Sequence, residues 1–506
     1  MVVERFDAIV VGAGHNGLVA AAYLARAGRR VLVLERRDVT GGAAVTEDLA
    51  PGFRVSTASY SLSLLRPDVH AELDLARHGL VITPKDPQMF VPLPDGRHYF
   101  VWRDGDRTRE EIARINPADA DALGRWGAFW TEAVAKIRPL VEAPDPPGLD
   151  GVRAALGEEL YRMAVAGSCA DTVRAFFDAP EIQGPMAGQG IIGTKLGPEE
   201  EGTAWIMTFH AIGGELNGMD GTWAYVRGGM GGVTQAIAAA AREAGAEIRV
   251  SSPVSRIVTG GGRVRGVTLA DGTMIEAPLV LSNATPAVTF GTLLDDGVLP
   301  PSFAERVASW QYEGAVVKVN LALRELPSFS MLPGTEPAPQ HLGTVEIAHS
   351  IEYIQQARED ARGAMPSSKP FMEVFLQSSG DRTLVPGGEG HVLSAFTQYA
   401  PEQPVDWDAA RRAARDNAVA ALAAYAPNLP DAIVTEDVLA PPDLEERLAL
   451  TGGDIFHGAL SPEQSFGERF DYRTPVEGLY LCGSGARPGG GVMGAAGRNA
   501  ARVALG

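Results

Sequence analysis

The chain has 506 residues, 59 of them glycine, and a formal net charge of −19 at pH 7. A chain of this length can bury the cores of two or three structural units, and its acidity excludes nonspecific nucleic-acid binding. Its two cysteines, Cys169 and Cys482, lie far apart without a CxxC motif, so we predict buried, inert thiols and neither a disulfide framework nor a dithiol redox centre.

The first 36 residues predict a strand, a tight turn, a helix and a second strand. The short apolar run Ala8–Val11 is followed by Gly12, Gly14 and Gly17, and Glu35 closes the next strand 23 residues after Gly12. These glycines allow a sharp turn, a close backbone approach to a pyrophosphate and tight packing of the helix on the strand. Glu35 at this distance is expected to bind a ribose that has a free 2′-hydroxyl. This favours FAD or NAD as the ligand over NADP, which carries a 2′-phosphate. A glycine-rich turn of an ordinary α/β domain is the alternative.

The loop after this strand contains a second group of candidate cofactor contacts. Gly41 and Gly42 have no side chains, so a cofactor could approach their backbone closely, and Ala43 follows them. Arg36 or Arg37 could neutralise phosphate charge, although an exposed arginine at a strand end is equally common.

The next segment predicts a hairpin and then a helical region. Met89–Pro92 and His98–Trp102 predict the two strands, and helical patterns run from about residue 107 to residue 179. Trp126, Phe129 and Trp130 share one helical face. Core packing is the default interpretation of that stripe, and a lipophilic binding wall is the alternative.

A second glycine-rich helix start lies at Gly228–Gly232. We predict a helix at 233–244, a strand at 247–250, a meander of strands at 254–259, 264–269 and 274–277, and a strand at 279–281. Because the glycines lack a strand leading directly into them and no ribose acid follows, we interpret them as cofactor or packing support.

From about residue 295 to 445 the pattern changes to separated strands, which predict an antiparallel sheet. These are Val316–Leu323, Phe371–Gln377 and His391–Tyr399, followed by a helix at 406–426. A final strand near 478–482 then runs through six nearby glycines into a closing helix, which again describes an anion-accepting cradle. We therefore expect the two ends of the chain to meet in one cofactor domain.

Four of these motifs together resemble the phytoene-desaturase-like flavoproteins, and within them most closely the phytoene dehydrogenase-related branch. They are Val-Gly-Ala-Gly-His-Asn-Gly-Leu at 11–18, Glu35-Arg-Arg with Gly41-Gly42, Gly-Gly-Met-Gly-Gly at 228–232, and Arg-Pro-Gly-Gly-Gly-Val-Met-Gly at 487–494. Carotenoid desaturases usually carry His-Pro-Gly-Ala-Gly in the last motif and Gly-Gly-Arg in the loop. The departures at Arg487 and Ala43 therefore argue against phytoene itself as substrate.

The resemblance implies an α/β protein with a discontinuous, Rossmann-type FAD-binding domain and an interleaved α+β substrate domain that contains an antiparallel sheet and helices. The FAD domain would comprise 1–85, 222–292 and 448–506, and the substrate domain 86–221 and 293–447. The residues expected to contact FAD are Gly12, Gly14, His15, Asn16, Gly17, Glu35, Arg36, Arg37, Gly41, Gly42, Ala43, Val254, Gly483, Pro488, Gly491, Val492 and Met493.

Catalytic groups are harder to identify from the sequence. His457 is adjacent to the last cofactor segment and matches a histidine found there in relatives, so it is the first candidate. A structural histidine bonded to backbone is the alternative. Tyr225 and Arg487 are further candidates, and no metal site is predicted.

The resemblance implies hydride transfer to FAD from a hydrophobic, carotenoid- or lipid-like small molecule, with oxygen, a quinone or another compound as electron acceptor. An amine or other small-molecule oxidase is one alternative, and a flavin-containing interaction protein with little catalysis is another. We expect a cytoplasmic location, with peripheral membrane contact left open, because neither an N-terminal leader nor an 18-residue apolar run is present.

Overall fold

The computed structural model describes residues 4–143, 145–213 and 223–506. Its strands are β1 (Glu4–Arg5), β2 (Ala8–Val11), β3 (Val31–Leu34), β4 (Thr46–Ala50), β5 (Phe53–Ser56), β6 (Ile82–Pro84), β7 (Met89–Pro92), β8 (His98–Val101), β9 (Ala224–Val226), β10 (Glu247–Arg249), β11 (Val254–Gly260), β12 (Arg263–Leu269), β13 (Met274–Glu276), β14 (Leu279–Ser282), β15 (Val316–Leu323), β16 (Thr344–Ile347), β17 (Phe371–Phe375), β18 (His391–Gln398), β19 (Ile433–Leu439) and β20 (Leu479–Leu481).

The α-helices are α1 (His15–Arg26), α2 (Pro67–Glu72), α3 (Gly105–Ala113), α4 (Pro117–Glu142), α5 (Leu149–Leu156), α6 (Glu158–Tyr161), α7 (Cys169–Arg174), α8 (Pro180–Gly188), α9 (Thr203–Ala211), α10 (Gly231–Glu243), α11 (Pro301–Ser309), α12 (Ile351–Asp360), α13 (Gln377–Gly380), α14 (Trp407–Ala423), α15 (Leu429–Ala432), α16 (Pro441–Leu448) and α17 (Ala495–Leu505). Within the described ranges, no helix is both long and apolar enough to cross a membrane.

A five-stranded parallel sheet joins the two ends of the chain. Its strand order is β10-β3-β2-β14-β20, so the first, middle and last parts of the sequence all contribute. Every residue of β2 and β3 is buried, as expected for a parallel sheet that is covered on both faces. Helix α1 packs against both α10 and α17, and the three helices share one apolar core with this sheet. The predicted α/β fold with a Rossmann-type unit is confirmed.

The predicted meander forms a separate four-stranded sheet. Strands β11, β12 and β13 are consecutive and antiparallel, as the turn residues indicated. The two-residue strand β1 adds to this sheet in parallel with β13 and was not predicted. Such a short strand has no periodicity from which a prediction could be made.

A seven-stranded sheet in the order β19-β15-β18-β17-β16-β7-β8 forms the centre of the second region. The predicted hairpin β7–β8 belongs to it. The three strands predicted to form an antiparallel sheet, β15, β17 and β18, do pair antiparallel, whereas β16 and β7 pair in parallel. Strands β16 and β19 were not predicted, since the acidic residues that interrupt them conceal a strand pattern.

The glycine-rich segment before α10 differs from the prediction. Strand β9 does lead into it, although β9 pairs with β6 and not with the parallel sheet. The segment's backbone N–H groups donate to protein side chains, for example from Met230 to Ser56 Oγ at 2.9 Å and from Gly231 to Thr46 Oγ1 at 2.9 Å. These groups are therefore used in packing and not in binding a cofactor.

Both cysteines are buried, as predicted. Burial raises the pKa of the Cys169 thiol to about 12 and also raises the pKa of the Cys482 thiol. Thiols with such high pKa values remain protonated and unreactive at neutral pH.

Candidate active site

A cavity runs between the parallel sheet and the seven-stranded sheet. On one side it is lined by residues at the carboxyl ends of the parallel strands, including Val11, Glu35 and Asn283. On the other side it is lined by Lys318 of β15 and Phe396 of β18. The carboxyl edge of a parallel sheet is where ligands bind in folds of this type.

The glycine turn after β2 forms one wall of the cavity, and its conformation does not accommodate side chains at Gly12 and Gly14. Gly12 has φ +93°, and a β-carbon at Gly14 would lie 2.6 Å from Asn283 Nδ2. Gly42, with φ +58°, lies so close to Gly14 that a β-carbon there would be 3.2 Å from the Gly14 α-carbon. No side chain in the described ranges caps α1 at Gly14. This helix terminus can therefore accept an anionic ligand group.

Glu35 lies at the end of β3 and is almost fully buried. Its Oε2 accepts a hydrogen bond from the Ala13 N–H at 2.8 Å, and its Oε1 accepts one from the Arg37 N–H at 2.9 Å. The Arg36 side chain donates to the Glu446 carbonyl at 2.6 Å, and the Arg37 side chain pairs with Glu47. Glu35 is thus held rigidly between the glycine turn and the start of the following loop.

Two histidines from opposite ends of the chain line the same cavity. Burial lowers the pKa of His15 to about 4 and that of His457 to about 3, so both rings are neutral at pH 7. Arg469 further lowers the pKa of His457. His457 has φ +59°, a strained conformation for a residue with a side chain. The His457 Nδ1 atom has no hydrogen-bond partner within the described ranges. This does not support the alternative in which His457 is a structural histidine whose Nδ1 is bonded to backbone.

The cavity contains polar atoms that the protein itself does not satisfy. In the described part of the chain, His15 Nε2, Arg37 Nη1, Ser63 Oγ and His457 Nδ1 are buried without a partner, and all four residues line the cavity. Buried polar groups are normally hydrogen-bonded, so a polar ligand is expected here. The glycine turn, the uncapped helix terminus and Glu35 suit a pyrophosphate and a ribose, and the residues present therefore fit a dinucleotide such as FAD.

At its other end the cavity becomes a chamber with mostly apolar walls. Ile192, Trp223, Val316 and Phe396 contribute to it, together with the ring of Tyr60. The rings of Tyr60 and Phe396 have their centroids 5.3 Å apart. The aromatic stripe on α4 is not part of the cavity lining; Trp126, for instance, packs against the Phe176 ring at 5.3 Å. The packing interpretation of that stripe is therefore supported.

Lys318 is a buried, charged side chain of the chamber that the sequence analysis did not single out. It is 2% exposed, lines the chamber, and donates from Nζ to Ser394 Oγ at 2.6 Å. Nζ also lies 4.2 Å from the centroid of the Tyr60 ring. Burial lowers the pKa of Lys318 to about 7, although Glu373 opposes the shift. A lysine inside the apolar strand pattern Val-Val-Lys-Val-Asn-Leu was the available signal, because lysine is almost never fully buried unless it is paired.

The predicted cofactor residues divide into two groups. Gly12, Gly14, His15, Glu35, Arg36, Arg37, Gly42, Ala43, Val254, Gly491 and Val492 line the cavity. Asn16, Gly17, Gly41, Gly483, Pro488 and Met493 do not line it, and their contact with FAD stays a prediction.

Several residues of the second group position the first. Asn16 Nδ2 donates to Ser484 Oγ at 3.3 Å and Asn16 Oδ1 accepts from the Gly497 N–H at 3.4 Å, so its amide connects α1 to α17. A β-carbon at Gly17 would collide with the Gly12 carbonyl oxygen. Likewise, a β-carbon at Gly41 would lie 2.8 Å from the Ala44 carbonyl oxygen, and one at Gly483 2.5 Å from the Asn283 carbonyl oxygen. Pro488 and Met493 line a smaller cavity near Arg138.

Two of the three predicted catalytic residues, Tyr225 and Arg487, do not line the main cavity. The Tyr225 hydroxyl donates to the Leu342 carbonyl at 2.7 Å, and its ring packs against Gly380. The Arg487 guanidinium contacts Asp471 at 3.3 Å and donates to the Gly467 carbonyl at 2.8 Å. Both polar groups are thus committed to structural contacts, and only His457 of the three lines the cavity.

Replacing Glu35 with glutamine is expected to weaken FAD binding about 10- to 100-fold, since a hydrogen bond to a charged group contributes about 1.5–3 kcal/mol. The amide oxygen can accept from Ala13 or from Arg37 but not from both, and its NH₂ group then faces an N–H. FAD affinity measured by fluorescence titration of apoprotein checks this, with Glu276→Gln as the control because Glu276 pairs with Arg5 at the surface of another sheet. Equal affinities in the two variants would contradict the role assigned to Glu35.

The chain matches known proteins along its whole length. The family model described as "Flavin containing amine oxidoreductase" matches residues 17–505. The chain is 39% identical to mouse (Mus musculus) pyridine nucleotide-disulfide oxidoreductase domain-containing protein 2, over 99% of this chain and 93% of that protein. It is 27% identical to one of the subunits of limonene dehydrogenase from Castellaniella defragrans, over 99% of this chain and 94% of that subunit. It is 25% identical to the lycopene-forming phytoene desaturase of a Paracoccus species, over 97% of this chain and 95% of that protein.

Solved structures share the fold at low sequence identity. A redesigned putrescine oxidase superposes with a TM-score of 0.63 at 18% identity, covering 99% of this chain and 98% of that one. The predicted resemblance to phytoene-desaturase-like flavoproteins is confirmed by the relatives, and the predicted FAD cofactor by the family match.

Proposed function

We propose that this chain, which belongs to the family of flavin containing amine oxidoreductases, is a dehydrogenase that transfers hydride from a C–H bond of a neutral, apolar small molecule to FAD. As a member of this family it is an FAD-dependent oxidoreductase enzyme.

The proposed FAD domain comprises residues 1–85, 222–292 and 448–506, and the proposed substrate domain comprises 86–221 and 293–447. The three FAD segments supply all five strands of the parallel sheet, which supports this division. Glu35 binds the ribose, the glycine turn with the α1 terminus binds the pyrophosphate, and the segment around Gly491 and Val492 lies along the rest of the cofactor.

The observation that carries the proposal is the continuity of the cavity, which leads from Glu35 directly into the apolar chamber. When bound, FAD supplies the acceptor for a hydride and its two electrons. The chamber walls orient the substrate and exclude water, while the neutral rings of His15 and His457 offer hydrogen bonds without adding charge. Two relatives are named for limonene and phytoene, which are both hydrocarbons. An electron acceptor such as oxygen or a quinone then completes the cycle.

An amine oxidase is the second candidate, and the pair of aromatic rings formed by Tyr60 and Phe396 in the chamber favours it. The charges of the cavity argue the other way. In the described lining, the only carboxylate is Glu35, which lies at the opposite end, whereas the chamber itself contains Lys318. A protonated amine would find no counter-ion there.

Anaerobic reduction of the bound flavin tests these alternatives. We expect the flavin absorbance of the purified holoenzyme to be bleached by limonene, phytoene or another apolar compound of a lipid panel, and not by a matched panel of primary and secondary amines. Bleaching by amines alone would instead assign the protein to the oxidase class and overturn the proposed substrate class.

A further inference from the structure

We propose that the ring of His457 contacts the flavin of bound FAD, donating a hydrogen bond from Nε2 to the pyrimidine edge of the flavin ring and thereby raising the reduction potential of the flavin. This edge carries the N1 atom and the C2 carbonyl, and it holds the negative charge of the reduced ring. The inference rests on the proposed placement of FAD in the main cavity. It does not depend on the proposed class of substrate.

The backbone of His457 is strained, and the residue before it is fixed. His457 has φ +59°. The Phe456 N–H donates to Asp454 Oδ1 at 2.7 Å, and Asp454 Oδ2 accepts from the Glu313 N–H at 2.7 Å. The Phe456 carbonyl accepts a hydrogen bond from Arg469 Nη2 at 2.6 Å. Both peptide groups of Phe456 are thus committed, so this side of the chain cannot rotate to release the strain.

The residues after His457 are fixed as well. Gly458 lies so close to Trp310 that a β-carbon there would be 1.9 Å from the indole Nε1. The Ala459 N–H then donates to the Gln311 carbonyl at 2.9 Å. Strain of this kind costs stability, persists only where the surroundings impose it, and is concentrated at ligand-binding sites. The fold therefore maintains the direction of the His457 ring at a cost in stability.

His457 lies where the path of the cofactor meets the chamber. Its ring lines the cavity, and His15 in the glycine turn is near enough to lower its pKa. On the other side, the ring centroids of Phe456 and His210 are 6.3 Å apart, and those of His210 and Trp223 in the chamber are 6.4 Å apart. With the pyrophosphate at the turn and the substrate in the chamber, the part of FAD between them is its flavin end.

We assign the proton of the His457 ring to Nε2. Burial and the nearby Arg469 lower the pKa of His457 to about 3, so the ring is neutral and has one N–H. Nδ1 is enclosed and has no partner among the residues described. A buried N–H without an acceptor is rarer than a buried acceptor without a donor, so Nδ1 holds the lone pair. The ring therefore lines the cavity through its other edge, where the N–H of Nε2 is available to the ligand.

A neutral donor at this position favours the reduced flavin. The pyrimidine edge accepts hydrogen bonds in both redox states, but it becomes negatively charged only on reduction. A hydrogen bond to a charged acceptor is roughly twice as strong as one between neutral groups. The bond from His457 is therefore stronger in the reduced state, which raises the reduction potential. The proton stays on Nε2 throughout, so the hydride and its two electrons are the only groups transferred.

Removing the ring tests the contact without any substrate. Glycine adopts φ +59° freely, so His457→Gly removes the donor and leaves the backbone in place. The midpoint potential of the bound FAD, measured by anaerobic reduction beside a reference dye, should fall by about 30–60 mV, which corresponds to a 10- to 100-fold loss of preference for reduced over oxidised FAD. An unchanged potential would overturn the inference.

Glutamine should rescue the potential, because its amide nitrogen can occupy the position of the histidine Nε2. We expect the FAD in His457→Gln to have a midpoint potential within about 15 mV of the wild-type value. A fall in His457→Gln equal to that in His457→Gly would overturn the assignment of Nε2 as the donor.

The strain predicts a second effect, on the protein without FAD. The apoprotein of His457→Gly should denature at a higher temperature than the wild-type apoprotein, because glycine relieves the strain and the lost ring leaves no void in the core. Asp74→Gly is the control, since Asp74 has φ +49°, is exposed and does not line the cavity. It should raise the denaturation temperature and leave the potential unchanged. A lower denaturation temperature of the His457→Gly apoprotein would make His457 a structural histidine and overturn the inference.

The position of the proton can be observed in the wild-type protein. The chain has nine histidines, so protein with ¹⁵N-labelled histidine gives few ring resonances, and the spectrum of His457→Gln identifies those of His457. We expect a neutral ring with its proton on Nε2, and a shift of the Nε2 resonance when FAD is added to the apoprotein. A proton on Nδ1, or an Nε2 resonance that FAD does not move, would overturn the inference.

These results are separable from the test of the proposed function. If the potential falls in His457→Gly but no apolar compound bleaches the wild-type flavin, the proposed substrate class fails and the role of His457 stands. If an apolar compound bleaches the flavin and the potential is the same in His457→Gly, the role of His457 fails and the proposed function stands.

Discussion

Replacing Gly17 with alanine is expected to release FAD and to destabilise the protein by about 3 kcal/mol or more, at the upper end of overpacking effects. A β-carbon there would collide with the Gly12 carbonyl oxygen and lie 3.1 Å from the Asn283 β-carbon. The first of these atoms is backbone in the turn itself, so it cannot move without displacing α1 from β2. The FAD content of the purified variant and its thermal denaturation temperature measure the effect.

Gly124→Ala is the matched control for this variant. Gly124 lies inside α4, and a β-carbon there would have no atom within 4 Å. Alanine in place of an exposed helical glycine is expected to stabilise the protein by about 0.5–1 kcal/mol and to leave the FAD content unchanged. If Gly17→Ala retained FAD and denatured at the same temperature as Gly124→Ala, the close approach of α1 to β2 would not be required.

Replacing Arg469 with methionine is the second change for which we expect a large effect. The Arg469 guanidinium is buried and donates to three backbone carbonyls, those of Phe456 at 2.6 Å, Gln464 at 3.1 Å and Ser484 at 2.8 Å. Methionine fills a similar volume but leaves all three carbonyls unsatisfied. We expect a loss of about 3–5 kcal/mol, the range for removing one partner of a buried charged network.

The loss should extend to cofactor binding, because Phe456 and Ser484 both line the cavity. We therefore expect Arg469→Met to be purified with little FAD and to denature at a lower temperature. Arg469→Lys should be intermediate, since an ammonium group cannot reach three carbonyls in the geometry of a guanidinium. Arg473→Met is the control, because Arg473 is exposed. Comparable FAD content and denaturation temperature in Arg469→Met and Arg473→Met would contradict the role assigned to Arg469.

The two buried lysines, Lys85 and Lys318, differ in their access to the cavity, because Lys318 lines it and Lys85 does not. Burial lowers the pKa of both to about 7. Burial and the proximity of Glu373 raise the pKa of Glu346 well above its ordinary value. Access to the chamber, and not the size of the pKa shift, therefore separates Lys318 from its neighbours.

The proposed cofactor-binding half of the site could be predicted from the sequence because its determinants are local. Gly12, Gly14 and Glu35 act within one strand–turn–helix–strand unit, where the spacing of residues determines which backbone groups meet. The C-terminal residues Gly491 and Val492 were located by resemblance, since their partners are far away in the sequence. The family and the FAD cofactor follow from these motifs and agree with the family match.

Only the tertiary structure decided which side chains reach the chamber. The Tyr225 hydroxyl bonds a carbonyl 117 residues away in the sequence, and the Arg487 guanidinium contacts Asp471, so neither side chain lines the cavity. Lys318 lies in the chamber because β15 pairs with β18, and its Nζ there lies over the ring of Tyr60, 258 residues earlier in the chain. Such contacts depend on strand register and sheet packing, which are set by the burial of whole faces and not by local sequence patterns.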